Sequence, residues 1–161
     1  MDGYLLKAAA IEAMDGQKKT HFLNPAAQRV NKSLGDATGL TGLGIHLIEV
    51  APGHETTEYH VHYHEDEAVY VLAGHATATT GDQDHAIAPG DFIGYRAGGL
   101  PHTIVNTGTE TLRLLVIGQR IPQDVADYPR KGKRIYRQVG VGTDLADIAA
   151  LDHPATGVKR G

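Results

Sequence analysis

Two histidines one residue apart, His60-Val61-His62, precede a glutamate at Glu67, and a fourth residue of the same chemical kind, His102, follows farther along. In an extended chain, residues two apart leave the same face, so His60 and His62 project side by side. The residues between His62 and Glu67 suffice for a tight turn. Glu67 is therefore expected on the next strand, facing the pair, and a second hairpin is expected to bring His102 from the opposite wall. Imidazole nitrogen suits zinc, copper, iron and nickel, and an added carboxylate extends the range to manganese. The expected cofactor is one divalent transition metal (Mn, Fe, Zn or Ni). On an octahedral ion, three histidines and a glutamate leave two positions open for a bidentate small molecule, whereas tetrahedral zinc would be closed by the same four. A lone histidine is more often a hydrogen-bonded core or surface residue. Four ligand positions in a spaced pattern point to metal instead.

Around this set stand residues of less specific meaning. Glu58 and His64 share the parity of His60 and His62. Glu58 is either an acid–base group at the mouth of the site or a rim carboxylate, and His64 is a turn residue, a fifth ligand or a pocket base. Glu65 and Asp66 read as turn residues in water. Tyr95 and Arg96 precede His102 closely enough to line a pocket, although Tyr95 reads equally as core packing. Asn106 is expected to satisfy backbone groups at its turn. His46, His54, His75, His85 and His153 fit no pattern and read as surface or supporting residues.

The spacing of these residues resembles that of the cupin superfamily, whose first motif runs Gly-x5-His-x-His-x3–4-Glu-x6-Gly and whose second runs Gly-x5-Pro-x-Gly-x2-His-x3-Asn. Here Gly53, His60, His62, Glu67 and Gly74 match the first, and Gly90, His102 and Asn106 match the second. One extra residue separates Gly53 from His60 and another separates Gly90 from His102. The proline of the second motif is absent, with Arg96 or Ala97 in its place. The resemblance runs from about Gly44 to Arg120. Leu34-Gly35-Asp36 ahead of it and the run Asp127 to Arg134 behind it are similar to a small bacterial cupin group. Its members carry only the superfamily label or a provisional sugar-phosphate isomerase name. The resemblance implies an all-β fold, a double-stranded β-helix or cupin jelly-roll barrel, with His60, His62, Glu67 and His102 as metal ligands.

Composition agrees with that architecture. The chain of 161 residues is one domain's worth, and its twenty glycines suit many tight turns. Cysteine is absent, which excludes disulfides, thiolate nucleophiles and sulfur-ligated metal. Short β-rich runs cut by turns are expected at Ile45–Val50, Glu58–Tyr63, Glu67–Ala73, His75–Thr80, His85–Ala88, Phe92–Tyr95, His102–Asn106 and Leu112–Gln119. Before this barrel (44–120), residues 1–43 read as a helix over Leu5–Met14 and an extended arm over Lys18–Asp36. After it, 121–161 reads as an extension with one helix over Leu145–Leu151 and a loose end. Leu112, Leu114 and Val116 face one way along their strand while Leu115 and Ile117 face the other. Cover on both faces is therefore expected, from the arm or from a second copy in a homodimer.

Charge narrows the partners. The net charge is −4, yet Arg130, Lys131, Lys133, Arg134 and Arg137 crowd together, leaving ten basic against nineteen acidic residues elsewhere. Such a body is a poor nucleic-acid binder, and the basic run reads first as a salt-bridged strand on its own acidic surface. No apolar run spans a membrane and the N-terminus lacks a basic signal region, so neither a nucleic acid nor a membrane is the expected partner and the expected address is cytoplasmic. Phosphate-loop, nucleophile-elbow, His-Glu-x-x-His and dinucleotide patterns are missing. Three functions stay open. One is a metal-dependent isomerase of sugars or sugar phosphates, working through an enediol with Glu58 or His64 as base and Tyr95, Arg96, Lys131 and Lys133 on the substrate. The others are an iron- or nickel-dependent dioxygenase and a small-ligand-binding barrel without catalysis. The first is favoured, on the resemblance and on the polar residues near the ligands.

Overall fold

Glycine, proline and asparagine turns cut the chain into short extended segments, and these pair into sheets. The computed structural model describes residues 3–152 and 154. Its N-terminal part comprises helix α1 (Ala8–Glu12), strands β1 (Gln17–His21) and β2 (Asn24–Ser33), and helix α2 (Leu34–Ala37). The central part supplies β3 (Leu43–Val50), β4 (Val61–His62), β5 (Glu67–Ala73), β6 (Ala76–Thr80), β7 (Gln83–Ile87), β8 (Phe92–Tyr95), β9 (His102–Val105) and β10 (Leu112–Gln119). The C-terminal part adds β11 (Gln123–Tyr128), β12 (Lys133–Gln138) and β13 (Gly142–Asp147).

One wall is an antiparallel sheet in the order β1-β2-β3-β10-β5-β8. The other is made of the sheets β13-β12-β11-β4 and β7-β6-β9, stitched together by a bridge between His60 and His102. This is the all-β jelly-roll barrel implied by the motifs. Its core takes alternate residues of β3, β5 and β10, among them Val50, Val71, Leu112 and Leu114, all fully buried. Each such side chain contributes about 1.5–3 kcal/mol on leaving water. On the outer face of β10, Leu115 and Ile117 are only half-buried. Helix α1 is tied to that face, because Arg113 of β10 pairs with Glu12 at 2.6 Å. Lys32 of β2 also donates to the carbonyls of Ile11 and Glu12, both at 3.2 Å.

The motif glycine Gly74 has a plain physical role. Its φ is +83°, and a Cβ there would lie 2.9 Å from Leu112 Cα, so only glycine lets β10 pass this close. Asn106 does the work expected of it. Fully buried, it donates to the carbonyls of Val50 and Glu110, each at 2.8 Å, and accepts from the Gly108 N–H at 3.0 Å.

The terminal segments differ most from expectation. The arm is a β1–β2 hairpin that widens the first sheet, with β2 pairing on β3 from Val30–Glu49 to Ser33–His46. The expected helix at Leu5–Met14 shortens to α1. Most of the expected helix at Leu145–Leu151 is instead the end of β13, followed by a 3-10 turn at Ile148–Ala150. Pairing with β12 in register from Lys133–Asp147 to Gln138–Gly142 supplies backbone partners that an isolated helix of that length could not match. The expected loose end and His153 lie outside the described residues. Among the described residues no helix is long and apolar enough to cross a membrane.

Candidate metal centre

His60 and His102 are direct neighbours across the second wall. The His60 N–H donates to the His102 carbonyl at 3.1 Å and the His102 N–H returns the bond at 2.8 Å. Opposed residues send their side chains to one face, and the two rings lie 4.6 Å apart between centroids. The His62 ring stands 4.8 Å from that of His60, as the period of two requires. Glu67 opens β5 on the facing wall, with Oε1 3.7 Å from His102 Nε2. The expected arrangement is thus corrected in one respect: His102 comes from beside His60, and Glu67 supplies the opposite wall. The cause is that β4 pairs with β11, His62 opposite Ala126, so the segment after His62 crosses between walls and forms no hairpin with β5.

Hydrogen bonds prepare the imidazoles as ligands. Each Nδ1 has an oxygen partner: the Glu58 carbonyl for His60 at 2.9 Å, Asp124 Oδ2 for His62 at 2.5 Å, and the Leu100 carbonyl for His102 at 3.4 Å. A proton on Nδ1 leaves the Nε2 lone pair free, which is the tautomer a metal needs. Burial drives the His60 pKa down to about 3, against the pull of Glu67, so its ring is neutral. Burial would also lower that of His62, but the Asp124 carboxylate outweighs it and raises it. For Glu67, burial favours the neutral acid, but His102, 3.7 Å away, and then the neighbouring His60 and His62 outweigh it and lower the pKa. His102 Nε2 is buried without any hydrogen-bond partner. The Tyr95 ring stacks on the His102 ring at 3.5 Å and 4°, fixing its plane.

These residues fit a divalent ion. Ligand atoms of His60, His62 and Glu67 all lie within 4.8 Å of one another. Metal bonds of about 2.0–2.2 Å span about 4.4 Å across an ion, so small adjustments suffice for these three, and the orphaned His102 Nε2, outside that group but 3.7 Å from Glu67 Oε1, would be the fourth donor. His62, Glu65 and Asp124 form a second close group, but its acids are already engaged. Glu65 accepts from Arg137 and from the Ile121 N–H at 2.9 Å, while Asp124 holds His62 and the His64 N–H at 3.2 Å. That group orients His62. Glu65 is buried at 7% exposure, not the solvated turn residue expected.

The centre opens into a cavity of about 380 Å³ between the two walls. Tyr95 lines it, as do Arg137 of the basic run and Tyr128 just before that run, together with residues that carried no signal in the sequence: His21, Arg29, Asn31, His46 and Arg120. Glu58 and His64 are not among the lining residues. Glu58 is buried with Oε2 3.7 Å from Lys131 Nζ, and His64 is exposed. Arg96 is exposed and borders a separate surface pocket. Lys133 pairs with Asp147 at 2.6 Å, and Arg134 grips Asp127 through two bonds of 2.6 and 2.8 Å. Arg130 covers the Tyr59 ring at 4.1 Å. The basic run is therefore chiefly a salt-bridged strand. Asp124 escaped the sequence reading because nothing local marks it; only the pairing of β11 with β4 sets it behind His62.

Barrel, paired motifs and ligand set together define a cupin. The cupin domain family matches residues 46–118. A crystal structure of a protein from Acidithiobacillus ferrooxidans, provisionally named a sugar phosphate isomerase, shares 53% identity over 96% of this chain and 98% of that one, with a TM-score of 0.92. The chain belongs to the cupin superfamily. A sugar phosphate isomerase of the same superfamily from Silicibacter pomeroyi is 28% identical over 94% of this chain and 97% of that one, with a TM-score of 0.79. A polyketide cyclase from Streptomyces resistomycificus is 26% identical over 56% of this chain and 64% of that one, with a TM-score of 0.50. The barrel is thus shared beyond any one activity. No curated protein matches the chain.

Proposed function

We propose that the protein is a metal-dependent isomerase of a sugar or sugar phosphate. The observation that carries this reading is the convergence of His60, His62 and Glu67, whose ligand atoms lie within 4.8 Å of one another, with the unpartnered His102 Nε2 beside them, at the wall of one cavity of about 380 Å³, a volume suited to a small ligand. The names of two similar solved proteins support it. A divalent ion held by His60, His62, Glu67 and His102 would polarise a carbonyl and acidify the adjacent C–H.

Proton transfer then needs titratable groups inside the cavity, and Glu58 and His64 do not line it. His21 and Tyr128 do, with ring centroids 5.2 Å apart, and Tyr128 lies 6.2 Å from the His60 ring. Burial, with Arg29 and Lys131 nearby, lowers the His21 pKa, so the ring is neutral and can accept a proton. Burial raises that of Tyr128 to about 12, keeping its hydroxyl a donor. In the aldose-to-ketose direction, His21 takes the C2 proton and returns it to C1. Tyr128 gives its proton to O1 and recovers one from O2. The test is isotopic. Metal-loaded protein incubated with sugar phosphates in deuterated water should exchange the C2 hydrogen without oxygen uptake, and a chelator should abolish that exchange. Oxygen consumption would overturn the reading in favour of a dioxygenase, and tight binding without exchange would favour a binding barrel.

A further inference from the structure

Arg29 is a cation out of balance with its surroundings. It stands on β2 and reaches the same cavity as His60, His62 and Glu67. Its Nη1 donates to the Thr56 carbonyl, but its Nε is buried with no partner. Among the described residues Nη2 makes no hydrogen bond and no carboxylate lies within 4.0 Å of the guanidinium. The two other arginines lining the cavity differ. Arg120 pairs with Asp36 at 2.5 Å and Arg137 pairs with Glu65. Burial costs the Arg29 charge its hydration, and Glu67 offsets that only from a distance. Buried donors in folded proteins almost always find an acceptor, so an orphan on the wall of a cavity calls for one from within it, a water, an ion or a ligand.

We propose that Arg29 is the anion-binding residue of the cavity, holding the phosphate or carboxylate end of the ligand beside the metal centre. With Nη1 fixed on Thr56, the remaining Nε and Nη2 form the side edge of the guanidinium, which donates to two oxygens of one oxyanion at once. The basic run is less suited, since Lys133 is committed to Asp147 and Lys131 stands beside Glu58. Arg29 also lies outside the matched barrel segment 46–118, so the N-terminal hairpin and not the barrel would set the charge of the ligand. This deepens the isomerase reading and rests on it only for the remainder of the ligand being a sugar.

Calorimetric titration of metal-loaded, full-length protein tests the proposal, with inorganic phosphate, glucose 6-phosphate, gluconate and glucose as probes. At least one anionic probe should bind tenfold or more tighter than glucose. Arg29→Gln should lose that preference at least tenfold while keeping its metal content and leaving glucose binding unchanged, and Arg29→Lys should recover part of it. Glucose 6-phosphate against gluconate separates phosphate from carboxylate recognition. Anion affinity within twofold of wild type in Arg29→Gln, or no anionic preference in the wild type, overturns the assignment. Should Arg29→Gln fail to fold, unchanged anion affinity in a metal-loaded Arg29→Lys protein overturns it equally. The two readings fail separately. Arg29-dependent anion binding with no C2 exchange removes the isomerase and leaves the subsite. Isomerisation of a sugar phosphate with KM unaffected by Arg29→Gln removes the subsite and leaves the isomerase.

Discussion

Asp124 offers the most direct test of how the fold prepares its metal centre. Its Oδ2 accepts from His62 Nδ1 at 2.5 Å, and its other oxygen takes the His64 N–H at 3.2 Å, with the side chain only 3% exposed. Asp124→Ala removes the acceptor that holds His62 in the ligating tautomer and strips negative charge from behind the ring. Losing such an outer partner costs about 10–100-fold in metal affinity, which is about 1.4–2.7 kcal/mol. A hydrogen bond to a charged group, worth about 1.5–3 kcal/mol, gives the same range independently. Asp124→Asn keeps an oxygen for Nδ1–H but not the charge, so its loss should be about tenfold or less. The assay is competition of apoprotein with a chromophoric chelator for zinc or manganese at pH 7.5, with circular dichroism reporting the fold. Both variants should keep the β spectrum and rank wild type, Asn, Ala in affinity. Wild-type affinity in a folded Asp124→Ala protein would refute the reasoning, because His62 would then not need its partner.

Other expectations follow from single observations. His62→Ala should reduce bound metal to trace by elemental analysis while the β spectrum persists, since the apolar core is built from other residues; retained metal would contradict the ligand assignment. Gly74→Ala places a Cβ 2.9 Å from Leu112 Cα at a φ of +83° and should destabilise by about 1–3 kcal/mol in urea titrations, so a neutral result would show that β10 yields there. Asp36 is hydrogen-bonded by Arg120 and Ser33, which lower its pKa to about 2. Its contribution to stability is therefore present above about pH 4 and lost as the pH falls towards 2; being exposed, it is worth less than about 1 kcal/mol, and Asp36→Asn should flatten that stretch of the stability profile. We also expect a homodimer, because β10 keeps half-buried apolar residues on its outer face; light scattering giving the mass of one chain at micromolar concentration would dismiss it.

What the sequence determined by itself is the local phase of the site and the kind of barrel that carries it. His60 and His62 share a face because a strand repeats every two residues, and Gly74 and Asn106 sit where a close strand approach and a buried turn need their chemistry. Those relations hold within a few residues, so they are legible in one dimension. Tertiary structure decided everything that depends on which strands meet. It set His102 beside His60, where the turn pattern suggested the opposite wall, and put Glu67 on the facing sheet and not on a hairpin with His62. It brought Asp124 behind His62 through the pairing of β11 with β4, and it turned Leu145 into a strand residue because β12 offered its backbone partners. Arg29 and His21 enter the cavity because a hairpin read only as an extended arm widens the first sheet. Pairing partners are chosen by burial and register over long separations, and neither quantity is written in the spacing of neighbouring residues.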